Sequence, residues 1–136
     1  MRTPAPVTWL SVALLSCVLG CNRPVSREEI VGDYVVEYPF GRETLSLHAD
    51  GTYEQKFHGL AGVTDAAGAG RWSFYSSPPP PSIALENPIL ISDEHGQLRT
   101  NYSMPVAGLV IREIRKGRGV RISANDDYDW LYRKLD

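Results

Sequence analysis

Short segments with a period of two, separated by turns, predict an all-β protein. In each segment apolar side chains take every second position, as Tyr34, Val36 and Tyr38 do. Turn residues such as Asp50-Gly51 recur roughly every 8 to 15 residues. The one helical signal is Ser26-Arg27-Glu28-Glu29, a capping box that predicts a single turn near the start of the folded part. This combination predicts an antiparallel barrel or sandwich with a short N-terminal helical turn.

The composition is that of one ordinary globular domain. The chain has 136 residues, of which 43% are hydrophobic, and carries 14 basic and 16 acidic side chains. The densest basic run, residues 112–121, is interrupted by Glu113, Ile114 and two glycines. A nucleic-acid-binding protein needs a continuous positive surface, so we expect no nucleic-acid partner.

The first twenty residues have the pattern of an export signal. Residues 9–19 are apolar apart from two serines, and this run is too short for a spanning helix, which needs about 20 residues. It fits the hydrophobic region of a signal peptide. We therefore expect a lipoprotein signal peptide at 1–20, a tether and helix cap at 21–29, and a β-barrel domain at 30–136.

The end of the signal, Val18-Leu19-Gly20-Cys21, resembles a bacterial lipobox, although Leu19 is bulkier than usual at its position. The resemblance implies diacylglycerol on the Cys21 sulfur, cleavage after Gly20, and acylation, for example by palmitate, of the new amino group. Asn22 follows in place of Asp, which by resemblance to Gram-negative lipoproteins implies the outer membrane, facing the periplasm. The alternative is a plain secretory signal with an incidental cysteine. Because Cys17 would leave with the signal, no disulfide is expected.

The register of the hairpin around Asp50-Gly51 can be argued from its two faces. A two-residue loop would set Leu47 opposite Glu54 and mix apolar with charged residues. A three-residue loop, with Gly51 in the left-handed region, sets Leu47 opposite Tyr53 and separates apolar from polar. We therefore predict the three-residue loop. It leaves Gln55 and Glu43 on the apolar face, and we expect Glu43 to reach solvent at the far end.

Two later stretches are interpreted from composition and turn signals. Residues 59–70 are small and glycine-rich, which predicts a loop. Ile83 and Leu85 form a short strand, which Asn87-Pro88 interrupts and residues 89–91 are expected to continue.

Several short motifs mark strand starts and turns, among them Gly32-Asp33-Tyr34, Leu45-Ser46-Leu47, Asp50-Gly51-Thr52-Tyr53, Gly70-Arg71-Trp72 and Tyr132-Arg133-Lys134. Together they resemble the small lipocalin-like barrels of many bacterial lipoproteins. The resemblance implies an up-and-down barrel of about eight strands. It does not imply one function, because such barrels serve as ligand binders and as inhibitors of secreted proteases.

No residue pattern argues for catalysis or metal binding. His48 and His58 should face outward and lie too far apart to share a metal, and His95 falls in a polar turn. The Asp-rich stretch beginning at Asp126 lacks the mid-loop glycine of an EF-hand, since Leu131 occupies that position. No serine lies in a nucleophile motif. We therefore expect a non-enzymatic protein without a metal or another cofactor.

The inward-facing residues leave open whether the barrel is filled or hollow. Aromatic rings fill the core of a small barrel, whereas a hollow barrel would use tyrosine hydroxyls and Gln55 to orient an apolar ligand. The residues expected to line such a cavity are Tyr34, Tyr53, Gln55, Trp72, Trp130 and Tyr132. We predict the filled barrel, because a chain without a disulfide depends on its packed core for stability.

Three hypotheses for the function follow. The leading one is an outer-membrane-anchored lipoprotein of undetermined molecular role that binds or stabilises an envelope partner. The second is a lipocalin-like binder of a small apolar ligand. The third is an inhibitor of a secreted hydrolase, although a membrane anchor is poorly suited to a freely diffusing target.

Overall fold

The computed structural model of the protein describes residues 24–91, 95, 98–99, 106–115, 119–125 and 129–136. These residues form one short helix and ten strands, most of which alternate inward and outward side chains. The elements are α1 (Arg27–Ile30), β1 (Gly32–Tyr38), β2 (Gly41–Leu47), β3 (Thr52–Gly59), β4 (Ala66–Tyr75), β5 (Ser82–Glu86), β6 (Leu90–Ile91), β7 (Leu98–Arg99), β8 (Val106–Arg115), β9 (Gly119–Asn125) and β10 (Trp130–Lys134).

Eight of the described strands close a barrel, and each is antiparallel to its neighbours in the order β1-β2-β3-β4-β5-β8-β9-β10. β10 pairs with β1 and so closes the barrel. β6 and β7 form a separate two-stranded sheet within the connection that leads along the chain from β5 to β8. The predicted all-β, up-and-down barrel is therefore confirmed. Because strand direction alternates, α1 and the loops 48–51 and 76–81 lie at the same end of the barrel. We call this end the helix end. Loops 60–65 and 87–89 lie at the opposite, far end.

The predicted hairpin register between β2 and β3 is also confirmed. Leu47 pairs with Tyr53 and Glu43 with Phe57. The loop closes through His48 N–H, which donates to Thr52 O at 2.9 Å, and Gly51 has a φ of +87°. Separating the apolar from the polar residues was therefore enough to choose between the two loop lengths.

Replacing Gly51 with valine should lower the free energy of unfolding by about 1 kcal/mol or more, because a β-branched residue resists positive φ. A Cβ at this position would approach Arg27 Nη2 only to 3.6 Å, so backbone strain rather than a clash causes the loss. Gly51→Asn is the matched control and should lose less, since asparagine enters positive φ more readily. Equal melting temperatures for Gly51→Val and the parent would contradict this account.

The loop predicted at 59–70 is wrong in its second half, where Ala66 begins the ten-residue strand β4. The glycines there permit close packing rather than flexibility. A Cβ on Gly70 would lie 2.7 Å from Glu86 O, and one on Gly68 would lie 3.3 Å from Ile89 Cγ1. The expectation that residues 89–91 continue β5 is wrong as well, because Leu90–Ile91 pairs with β7 instead.

The helix α1 closes the helix end of the barrel. The predicted capping box is present, with Ser26 N–H donating to Glu29 Oε2 at 2.8 Å. Ile30 is fully buried, and its carbonyl accepts from Tyr34 Oη at 2.5 Å. Lys134 Nζ donates to Glu29 O at 2.7 Å. The helix is therefore held by side chains from both β1 and β10.

Some predictions lie outside the described residues. These include the signal peptide at 1–20, Cys21 and the residues just after it, and the Asp126-Asp127 pair. Within the described part of the chain, no helix has the length and apolarity needed to cross a membrane.

Candidate functional site

The six residues predicted to line a cavity all belong to the inner face of the barrel. Tyr34, Tyr53, Gln55, Trp72 and Tyr132 are buried, and Trp130 is half-buried. The structure thus brings them to the interior, where Gln55 and Tyr132 are in direct contact, with Gln55 Nε2 3.2 Å from Tyr132 Oη.

Three of these side chains direct their polar atoms at backbone carbonyls. Tyr34 Oη donates to Ile30 O, Tyr53 Oη donates to Glu86 O at 2.6 Å, and Trp72 Nε1 donates to His48 O at 2.8 Å. Groups of this kind would be expected to orient a bound ligand in a hollow barrel. Here they tie strands and loops of the same chain together.

Glu43 lies at the centre of a buried polar cluster formed with Tyr38, Gln55 and Tyr132, which we call the Glu43 cluster. Tyr38 Oη donates to Glu43 Oε2 at 2.8 Å. Gln55 Nε2 and Tyr132 Oη both donate to Glu43 Oε1, and these two donors lie 3.2 Å apart. Three strands besides that of Glu43 therefore supply donors to one carboxyl group.

The expectation that Glu43 reaches solvent is wrong, since its exposed fraction is 1%. Strand β2 begins at the far end, two residues before Glu43, and aromatic rings at that end cover the carboxyl group. Tyr38 and Phe40 stack with centroids 5.2 Å apart, and Trp130 packs edge-on against Tyr38 at 4.8 Å. Phe57, directly opposite Glu43 on β3, joins this aromatic group.

Burial raises the pKa of the Glu43 carboxyl above its usual value, and the hydrogen bonds from Tyr132, Gln55 and Tyr38 oppose this effect without overcoming it. Burial and the charge of Glu43 likewise raise the pKa values of Tyr38 and Tyr132. The two phenols therefore stay protonated and serve as donors, while the carboxyl group takes up a proton more readily than an exposed glutamate does.

Gln55 also joins the cluster to the segment that covers the far end. Its Nε2 donates to Ile89 O at 2.8 Å, and its Oε1 accepts from Ile89 N–H at 2.8 Å. The side-chain amide thus pairs with the backbone of Ile89 as a neighbouring strand would. Both Pro88 and Ile89 are buried. Across the described residues, every buried side-chain nitrogen or oxygen atom has a hydrogen-bond partner.

Glu43→Gln should make stability less dependent on pH. In the unfolded chain the carboxyl titrates near 4.5, whereas burial raises the pKa in the folded chain. Between these two pKa values the folded state binds more protons, so the parent loses stability as pH rises through that window and stays at the lower level above it. Glutamine resembles the protonated carboxyl group, with one accepting oxygen and one donating group, and it cannot ionise, so the variant should be the more stable of the two above the window.

Urea unfolding of the parent and the variant at about pH 5 and about pH 8 measures this effect. Glu54→Gln is the control, because Glu54 lies on β3 with 55% of its side chain exposed. That variant should show the same change in the free energy of unfolding between the two pH values as the parent does. If Glu43→Gln also showed the same change as the parent, the buried carboxyl group would not titrate between these pH values.

The outer face of β2, β3 and β4 carries a shallow groove of about 470 Å³. It is lined mainly by charged, polar and small residues, namely Arg42, Thr44, Lys56, His58, Asp65, Ala66 and Ala67, and also by Phe57, whose side chain is otherwise buried in the barrel. His58 faces outward as predicted, and its Nδ1 lies 3.0 Å from Asp65 Oδ1. The predicted separation of the two faces thus places Arg42, Glu54 and Lys56 of this hairpin on the outside, whereas Glu43 lies inside.

The Glu43 cluster was not predicted, although the sequence contained a signal for it. Glu43 and Gln55 were the two polar residues that the chosen register left on an apolar face, and buried polar groups require partners.

Among the described residues, no group of three or more histidine, cysteine, aspartate or glutamate side chains could hold a metal ion. No family model matches the chain, and no curated protein or solved structure is significantly similar to it.

Proposed function

We propose that this chain is a non-enzymatic envelope lipoprotein, anchored through lipid on Cys21 to the outer membrane and facing the periplasm. Its barrel would act as a binding module that engages or stabilises an envelope partner through its outer surface. The observation that carries this proposal is the Glu43 cluster, in which the polar groups that would orient an interior ligand bond to one another and to Ile89.

The chemistry of the interior supports a filled barrel over a lipocalin-like chamber. An apolar ligand would have to displace aromatic rings at the far end and break the paired hydrogen bonds between Gln55 and Ile89. Breaking these bonds would leave buried donors and acceptors without partners, at about 1–3 kcal/mol for each group. The outer groove on β2–β4 needs no such rearrangement, and its mixed charges suit a polar protein segment.

The anchor is tested by Cys21→Ser, which should abolish lipidation because serine lacks the thiol that accepts diacylglycerol. The expected result is an unprocessed or soluble protein in place of the membrane-bound mature form. Membrane fractionation combined with intact mass measurement distinguishes these forms. If the variant remains on the membrane at the mature size, the lipobox interpretation fails.

The binding role is tested by placing a photoreactive residue at Lys56, which is 69% exposed and lies in the groove, in cells that produce the lipidated protein. The matched control carries the same residue at Arg133, an exposed position on β10. A discrete cross-linked protein from position 56 but not from 133 is the expected result. If neither position cross-links, and delipidated protein binds a fatty-acid probe saturably, the ligand-binding hypothesis replaces this proposal.

A further inference from the structure

The chain between the proposed lipid and the folded barrel is very short. Val25 is part of the hydrophobic core, with only 7% of its surface exposed. Four residue steps separate it from Cys21, and a fully extended chain of that length spans at most about 14 Å. The lipidated residue must therefore lie close to the end of the barrel into which Val25 packs.

The helix α1 does not lengthen this tether, because several contacts fix the helix to the barrel. Arg27 Nη1 donates to Ala49 O at 3.0 Å, and its guanidinium group lies 4.5 Å from the centre of the Trp72 ring. The bonds of Tyr34 to Ile30 O and of Lys134 to Glu29 O hold the rest of the helix. Lengthening the tether would require breaking all of these together.

We propose that the helix end of the barrel rests on the bilayer that holds the acyl chains of Cys21, with the far end pointing away from the membrane. This inference rests on the proposed lipidation, which places the Cys21 sulfur at the level of the lipid headgroups. The surfaces brought to the membrane are α1, loops 48–51 and 76–81, and the C-terminal residues. The β6–β7 sheet and loop 60–65 are left facing away from it.

The helix end has side chains suited to an interface. Tyr75, at the end of β4, is 53% exposed, and Leu135 is 44% exposed. Tyrosine has an apolar ring and a polar hydroxyl group, and it is enriched at the level of the lipid headgroups. Leu60, 51% exposed, lies at the far end, so exposed apolar residues alone do not choose between the ends. The charges at the helix end are mixed, as Asp50 and Arg133 illustrate, so the length of the tether sets the orientation.

The orientation is tested with single cysteine labels on the lipidated protein, whose one native cysteine, Cys21, is blocked by the thioether. Ser76→Cys places a fluorophore in loop 76–81 at the helix end, and Thr64→Cys places the same fluorophore in loop 60–65 at the far end. Each protein is reconstituted into vesicles of phosphatidylethanolamine and phosphatidylglycerol that contain a headgroup-linked nitroxide quencher. We expect quenching at position 76 to exceed that at position 64 severalfold.

Two further preparations keep the outcomes distinct. Inserting a flexible Gly-Ser linker between Asn22 and Arg23 should remove most of the difference, because the barrel can then leave the surface. Equal quenching at 76 and 64 in the unmodified lipoprotein, with diacylglycerol present on Cys21 by mass, overturns the orientation and leaves the proposed function standing. Absence of that mass overturns the proposed function itself.

Discussion

Truncating Trp72 to alanine should lower the free energy of unfolding by about 3–5 kcal/mol, a large part of the roughly 5–15 kcal/mol that stabilises a typical domain. The ring is 4% exposed and lies inside the barrel, so its removal from a filled interior leaves a cavity. The substitution also removes the hydrogen bond to His48 O and the ring beneath the Arg27 guanidinium. Both losses weaken the helix end, where α1 is held.

Urea unfolding of the delipidated protein gives this free energy, and Tyr75→Ala is the matched control. Tyr75 is an aromatic residue of the same strand, but 53% of its surface is exposed, so its truncation should change stability by only about 0.5 kcal/mol. A hollow barrel would behave differently, because the Trp72 ring would line space that already exists. A small loss in Trp72→Ala together with a loss of saturable fatty-acid binding would therefore favour the ligand-binding hypothesis.

The local hairpin could be predicted from the sequence because one physical requirement determined it. A shift by one residue would have placed Leu47 opposite Glu54 on the same face, so only one register separated the apolar face from the polar one. The left-handed position of Gly51 followed from the same choice, and the structure has both. The information needed lay within about a dozen neighbouring residues of the chain.

The prediction failed where distant residues determine the conformation. The composition of residues 66–70 indicated a loop, yet this stretch pairs with β3 as a strand, and Glu86 and Ile89 pack closely against its glycines. Glu43 appeared to lie near solvent because the aromatic cover from Phe40 and Trp130 is not visible in the pattern of one hairpin. Glu86, Ile89 and Trp130 are distant along the chain from the residues that they cover, and no local pattern encodes such contacts.

Gln55→Leu should lower the free energy of unfolding by about 2–4 kcal/mol, although leucine has a similar volume and is apolar. The amide of Gln55 serves the Glu43 carboxyl, the Tyr132 hydroxyl and both backbone groups of Ile89. Each buried group left without a partner costs about 1–3 kcal/mol, and partial rearrangement or entry of water keeps the total below the sum. A hydrophobic replacement is therefore destabilising here, because the polar groups that Gln55 bonds to remain buried without a partner.

The amide hydrogen of Ile89 gives a local measurement of the same effect. In the parent it is bonded to Gln55 Oε1, so it should exchange slowly with solvent, and in Gln55→Leu it should exchange much faster than the amides of the β2–β3 ladder. Lys56→Leu, at the neighbouring outward position of β3, is the control and should alter stability by about 0.5 kcal/mol or less. Unchanged Ile89 exchange together with a loss below about 1 kcal/mol would mean that packing of Pro88 and Ile89, rather than this amide, holds the far end closed.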